Sequence, residues 1–465
     1  MTALSADTVP PTNSRLNGFL ASRAQGDTPW LLATLCLIIP LLPSYVVPFG
    51  NRALSPALMI SSVLLGLVIL GFIVGRRDAQ VATVMPGVII VLVYLALALV
   101  AYISGASGSA AEPNRNLPFT ILLGTLGIAL YAMTRITNTS QRSLVLGTLA
   151  VGLTYLCMVG VLQNYMDVDL RLLFQPPGFL EARQMSQAIN VPTLQRFDAK
   201  RSFGTSDHAA EFSVLAAVAV PLTIHFARYA TMQVTRFLAA VGTGIALIGV
   251  LAGVSRSGVV ALAGALLIYI WAFKVRTLLL GSIASAVLLI GMAVVIGPAA
   301  IVRSAQALWR AITEGASFED PSVVARVERY AAISQVFQDH PFLGLGVGRF
   351  PPNIDVLDNQ WLKALVEGGL VGVVAMAVLA IGGLVGIAAA LRVAHTPRER
   401  DQAYMTGAIF TGILATSFTL DLFLFAQATL VLFLAFGLLW SNYKVPISKS
   451  QSLDDVSLNA SSRPL

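Results

Sequence analysis

Residues 81–103 read VATVMPGVIIVLVYLALALVAYI, without a single charged side chain. A helix that crosses the hydrocarbon core of a bilayer needs about 20 apolar residues, and this run supplies them. It has no strict alternation of apolar and polar positions, and it is too long for a strand. Similar runs lie on both sides of it, at about 30–48, 53–74, 117–134, 143–163, 209–226, 237–254, 257–273, 277–297, 364–391, 403–420 and 422–440. Twelve spans follow, and with them an all-α, polytopic membrane protein. The composition agrees: 56% of the 465 residues are apolar and only 11% are charged, against about 25% charged in a soluble domain. A soluble cytosolic enzyme is excluded.

Charge places the loops. With the N-terminus inside, the short inner loops hold Arg76, Arg77, Arg135, Arg142, Arg228, Arg236, Lys274, Arg276, Arg392, Arg398 and Arg400, whereas the short outer loops hold Arg52, Arg115 and Arg256. Lys/Arg bias orients membrane proteins, so both termini are expected in the cytoplasm. The net charge of +7 sits in loops between apolar spans, which points to lipid or phosphate and not to nucleic acid. Residues 1–28 and 441–465 read as disordered cytoplasmic tails, 29–297 as a membrane domain of nine spans, and 364–440 as the last three. Cys36 and Cys157 both fall inside apolar runs, which leaves neither a disulfide framework nor a cysteine metal site.

Two outer loops are long, 164–208 and 298–363. Loops of this length usually carry function or are disordered, and these are too rich in aromatic and aliphatic residues to be disordered throughout. In the second, Ile301–Ala311 is expected to be an amphipathic helix at the membrane surface, with Val302, Ala305, Leu308 and Trp309 on one face. A second helix is expected from Asp320-Pro321 to about Gln338, closed by Pro341 and Gly344, Gly346 and Gly348.

The outer positive charge is almost entirely arginine, whose planar fork suits phosphate better than lysine does. Arg201 precedes Gly204 at the opening of one span, and Ser255-Arg256-Ser257 forms a tight hairpin between two others. Arg326 stands four residues before Tyr330. Then come His340-Pro-Phe-Leu-Gly344-Leu-Gly346, Asp358-Asn359-Gln-Trp361-Leu362 and Glu367-Gly-Gly369-Leu-Val-Gly372. Structural readings stand beside the functional ones. Arg256 can snorkel to the interface, Arg201 can dock a loop, and His340 can cap the end of a helix.

In this order the motifs resemble the O-antigen ligase and O-antigen polymerase superfamily, bacterial membrane glycosyltransferases of the GT-C type. The resemblance covers roughly 195–375 in motifs and the whole chain in topology. It implies a glycan donor carried on undecaprenyl diphosphate and an active site on the periplasmic face of the inner membrane. The acceptor is a glycan or lipid A-core, as in lipopolysaccharide or exopolysaccharide biosynthesis, and a chain-length regulator is a candidate partner. It further implies that Arg201, Arg256 and Arg326 hold the diphosphate. Asp358, His340 and Glu367 are the candidates for the base, and Asp358 leads, because the ligase branch has histidine at that position. The substitution favours polymerisation of repeat units over ligation to lipid A-core. A transporter or flippase of lipid-linked oligosaccharide is the rival from another class, but its polar or broken helices would lie near the midplane, where these spans carry almost no charge.

No cofactor is called for. Gly344, Gly346 and Gly348 imitate a dinucleotide loop but follow no strand of a βαβ unit. Asp167-Val-Asp169 imitates a metal-binding Asp-x-Asp pair but sits at a span end, so a metal-independent enzyme is expected.

Overall fold

The computed structural model describes residues 29–44, 46–47, 54–74, 83–106, 116–173, 195–196, 199–274, 281, 286–287, 289–294, 296–313, 333–348, 357–441 and 445–446. Helix dominates these residues. In chain order the helices are α1 (Trp30–Leu41), α2 (Pro56–Val74), α3 (Pro86–Ala106), α4 (Asn116–Arg135), α5 (Thr139–Tyr165), α6 (Ala209–Tyr229), α7 (Gln233–Ala252), α8 (Arg256–Tyr269), α9 (Pro298–Thr313), α10 (Gln360–Arg392), α11 (Pro397–Ala415) and α12 (Ala426–Trp440). The described strands are four two-residue pieces paired as two antiparallel ribbons. Among the described residues seven helices, α2 to α7 and α10, are long and apolar enough to cross a membrane, while α1, α8 and α12 are shorter apolar helices. The protein is an all-α polytopic membrane protein.

Several helices depart from the lengths expected. The run at 30–48 ends its helix at Leu41, because Pro43 disfavours helical backbone at Leu42, which is extended, and offers no N–H to continue the ladder, while Pro40 is carried inside the last turn. The run at 403–420 becomes a helix that starts earlier, at Pro397. There the Thr396 side chain accepts from the Glu399 amide, and the Glu399 carboxylate accepts from the Thr396 amide in return. The run at 422–440 becomes helical only from Ala426, after 3-10 turns at Thr416–Phe418 and Leu422–Leu424. Of 277–297, only short helical pieces fall within the described residues.

The centre of the bundle is α6, buried along nearly its whole length and packed against α5, α7, α8 and α11. Its Ala209, Ala210, Ser213, Ala216, Ala217 and Ala219 are small enough to let neighbouring backbones approach, which is how helices associate where lipid removes the hydrophobic drive. A Cβ on Gly258 of α8 would lie 2.5 Å from Ser213 Cβ. By contrast, α2 and α3 turn Val63, Leu70, Phe72, Ile89, Val100 and Ile103 outward, as a lipid-facing surface requires. At one end of the bundle Asp401 of α11 ties three helices together. Its carboxylate meets His225 Nδ1 at 2.5 Å, accepts from Tyr269 Oη at 3.2 Å and pairs with Arg228.

The amphipathic helix is present as α9, but rotated from the expected face. Ser304, Ala307, Leu308 and Ala311 are turned inward, whereas Val302 and Trp309 are exposed. Small residues win the inner face because α9 lies close against α7. The second expected helix lies outside the described residues as far as Ala332, and 333–339 is helical. There Ile333 and Val336 pack with Leu357 and Val366.

Candidate active site

At the end of the bundle opposite Asp401, three stretches of chain converge, and each passes through left-handed backbone shortly before a helix begins. Gly204 has φ 56°, Val254 φ 43° and Asp358 φ 52°. The last two are costly for residues with a Cβ, by ~1–3 kcal/mol each, and such strain gathers at functional sites. Each is held by named hydrogen bonds. Gln163 brackets Gly204, accepting from its N–H at 2.9 Å and donating to its carbonyl at 3.1 Å. Thr205 Oγ1 donates to the Pro40 carbonyl at 2.7 Å. Thr419 Oγ1 donates to Ser257 Oγ at 3.1 Å beside the Val254 turn. The Asp421 carboxylate straddles the Asp358 turn, with Oδ1 accepting from Asn359 N–H at 3.0 Å and Oδ2 from Leu357 N–H at 3.2 Å.

Between these stretches opens a cleft of about 530 Å³, lined by Arg201, His208, Arg256, Asp358, Phe418 and Thr419 among others. Thus Arg201 and Arg256, far apart in sequence, share one wall system with Asp358. Three helices begin here: α6 after His208, α8 after Ser255 and α10 after Asn359. Helix N-termini carry about half a positive charge each, and with two guanidinium groups they make the cleft suited to an anion. The Ser255 side chain caps nothing, whereas Asn359 Oδ1 accepts from Trp361 N–H at 3.0 Å and Leu362 N–H at 3.2 Å. Trp361 is fixed in turn, since Nε1 donates to Ser417 Oγ at 2.9 Å and its ring stacks on Phe418 at 5.6 Å.

His208 sits between Phe203 and Phe425, with ring centroids 6.2 and 5.9 Å away. Loss of water there, and then the Arg201 charge, hold its pKa below the usual imidazole value. Burial likewise raises that of Asp421, with Lys363 opposing.

The other candidates fall elsewhere. His340 is exposed and does not line the cleft; its backbone closes the turn after 333–339, accepting from Gly344 N–H at 3.1 Å. Glu367 lies inside α10, where Oε1 accepts from Gly348 N–H at 3.1 Å and stands 3.9 Å from Lys363. It borders a separate, largely apolar cavity of about 120 Å³ between α3, α4, α10 and α12. Arg326 lies outside the described residues. The glycine motifs form one docking module: Leu345 and Gly346 donate to the carbonyls of Val366 and Glu367, both at 2.8 Å, where α10 breaks at Gly369. A Cβ on Gly369, at φ 57°, would lie 2.4 Å from the Phe342 carbonyl carbon. We therefore expect Gly369→Ala to destabilise the purified protein by at least ~1–3 kcal/mol, read as a lowered melting temperature in detergent. An unchanged melting curve would show that the module holds nothing.

Asp167 and Asp169 are engaged in ion pairs, to Lys200 at 2.5 Å and Arg171 at 2.6 Å. Among the described residues no group of three or more His, Cys, Asp or Glu is arranged for a metal. Sequence reasoning missed Asp421, Thr419 and Phe418. The signal for Asp421 was a lone carboxylate in the one-residue gap between the runs at 403–420 and 422–440.

The described residues thus form a helical membrane bundle with an arginine-lined cleft where three helices begin, an arrangement suited to an anionic ligand. More particularly, residues 241–377 match a family model described as O-antigen ligase, which supports the resemblance to the O-antigen ligase and polymerase superfamily and a glycosyl-transferring role of that type. A comparison with curated proteins finds no match. The matched segment contains Arg256, Arg326, His340, Asp358 and Glu367, but Arg201, His208 and Asp421 lie outside it.

Proposed function

We propose that this protein takes a glycan from undecaprenyl diphosphate on the periplasmic face of the bacterial inner membrane and joins it to an acceptor hydroxyl. The preferred acceptor is the end sugar of another lipid-linked repeat unit, so that the product is an O-antigen or exopolysaccharide chain. The observation that carries the reading is the convergence of Arg201 and Arg256 with Asp358 on one cleft.

The chemistry follows from that set. As the acceptor oxygen forms its bond to the anomeric carbon, the bond to the diphosphate breaks and its electron pair goes to the phosphate oxygen. Fixed cations aimed at that developing charge lower the barrier. Asp358 takes the acceptor proton, Arg201, Arg256 and Arg326 hold the diphosphate, and a single displacement inverts the anomeric centre. His340 is left as the second candidate for the base, and Glu367 serves the turn that closes on α10. The description of the matching family favours one further reading, ligation of a finished chain to lipid A-core. A chain-length regulator is a candidate partner for the polymerase version only.

Purified protein is to be incubated with a lipid-linked repeat unit, with and without lipid A-core, in excess EDTA and without nucleotide sugar, and the products sized. A ladder of polymer without lipid A-core is expected. Product only with lipid A-core would establish ligation, and no product in either arm would overturn transfer. Turnover lost on chelation and restored by a divalent ion would bring Asp167 and Asp169 back as metal ligands.

A further inference from the structure

His208 is the N-cap residue of α6, and it caps with its ring: Nδ1 accepts from Ala210 N–H at 3.1 Å. An imidazole nitrogen that accepts a hydrogen bond carries no proton, so in the neutral ring the proton sits on Nε2. The α6 N-terminus therefore fixes the tautomer, and it opposes protonation, because a second proton would have to displace the Ala210 bond. The groups facing the ring are Arg201, which disfavours a positive imidazole, and Asp207 and Asp358, which favour it. Burial and Arg201 together prevail. In this state the ring has no lone pair left to act as a base, and one N–H to give.

We propose that His208, as part of the wall of the arginine cleft, donates its Nε2–H to the departing diphosphate of the lipid-linked donor, and that it is not the proton acceptor of the reaction. The inference rests on the glycosyl-transfer reading and adds a neutral donor to its arginines. No proton changes hands at His208: the acceptor hydroxyl loses its proton to Asp358, and the diphosphate leaves as an anion with a hydrogen bond from Nε2. A neutral donor is suited to this place. It stabilises developing charge without adding to the repulsion between Arg201 and Arg256, and it does not titrate away on mild acidification.

The chain has four histidines, so 15N-histidine labelling gives few signals, and those absent from His208→Gln belong to this ring. The full-length protein in detergent should show an unprotonated Nδ1 and a protonated Nε2 for His208 at neutral pH. Adding sugar-free undecaprenyl diphosphate should shift the Nε2 signal. His208→Gln should lower turnover about tenfold or more, with the acid limb of the pH profile unchanged. His208→Asn keeps an oxygen that caps α6 but does not reach as far, and it should show a similar loss. A protonated Nδ1, an Nε2 signal indifferent to the diphosphate, or wild-type turnover in the Asn variant would each overturn the proposal. So would loss of the acid limb in the variants, which would make His208 the base. If the signals behave as expected but the wild-type protein forms no product with or without lipid A-core, the His208 contact stands and the transfer reading fails.

Discussion

Replacing Arg256 by alanine is expected to abolish transfer while leaving the protein inserted and folded, and lysine is expected to restore less than half of the lost activity. The residue opens α8, next to the strained Val254 and at the wall of the cleft. A guanidinium there adds a planar, bidentate contact to the partial charge of the helix N-terminus. Removing one such electrostatic donor typically costs ~10²–10³-fold in turnover, and a point charge on a flexible stem does not restore the fork. Turnover of a lipid-linked repeat unit by purified variants of matched melting temperature is the measurement. Full activity in Arg256→Ala would remove the diphosphate from the cleft. The same substitution at Arg326 is expected to have the same effect.

The second large effect is expected at Asp358. Asparagine tolerates left-handed backbone at least as well as aspartate, so Asp358→Asn keeps the φ 52° turn and removes only the proton acceptor. Turnover should fall by roughly 10²-fold or more, the contribution of a positioned base, without weaker donor binding. Asp421→Asn tests the support beneath it. An amide can accept only one of the two N–H groups that the carboxylate now holds, so about tenfold should be lost, ~1.4 kcal/mol. His340→Gln, outside the cleft, should cost less than Asp358→Asn. If the His340 variant is inactive and Asp358→Asn is normal at every pH, the base is His340.

These expectations differ in where they were legible. The helical membrane bundle was written in the one-dimensional pattern, because an apolar run of span length has few other fates. Composition and Lys/Arg placement gave the class of protein and an expected orientation in the same way. The arginines were legible as residue types, since a charge at a span end calls for a partner. The ends of helices were less so: Pro43 ended α1 at Leu41, and the Thr396–Glu399 capping box moved the start of α11.

By itself, then, the sequence determined the all-α bundle, the basic loops and the set of candidate residues, since all of these depend on side-chain identity and near neighbours along the chain. Only the tertiary structure decided which candidates meet. Arg201, Arg256 and Asp358 are brought to one cleft because α6, α8 and α10 begin at the same end of the bundle, while His340 and Glu367, from the same stretch of motifs, are left outside it. It also decided that Asp421 clamps the Asp358 turn from 63 residues away and that a helix N-terminus sets the tautomer of His208. Contacts of that kind depend on packing between helices distant in sequence, for which the linear pattern holds no signal.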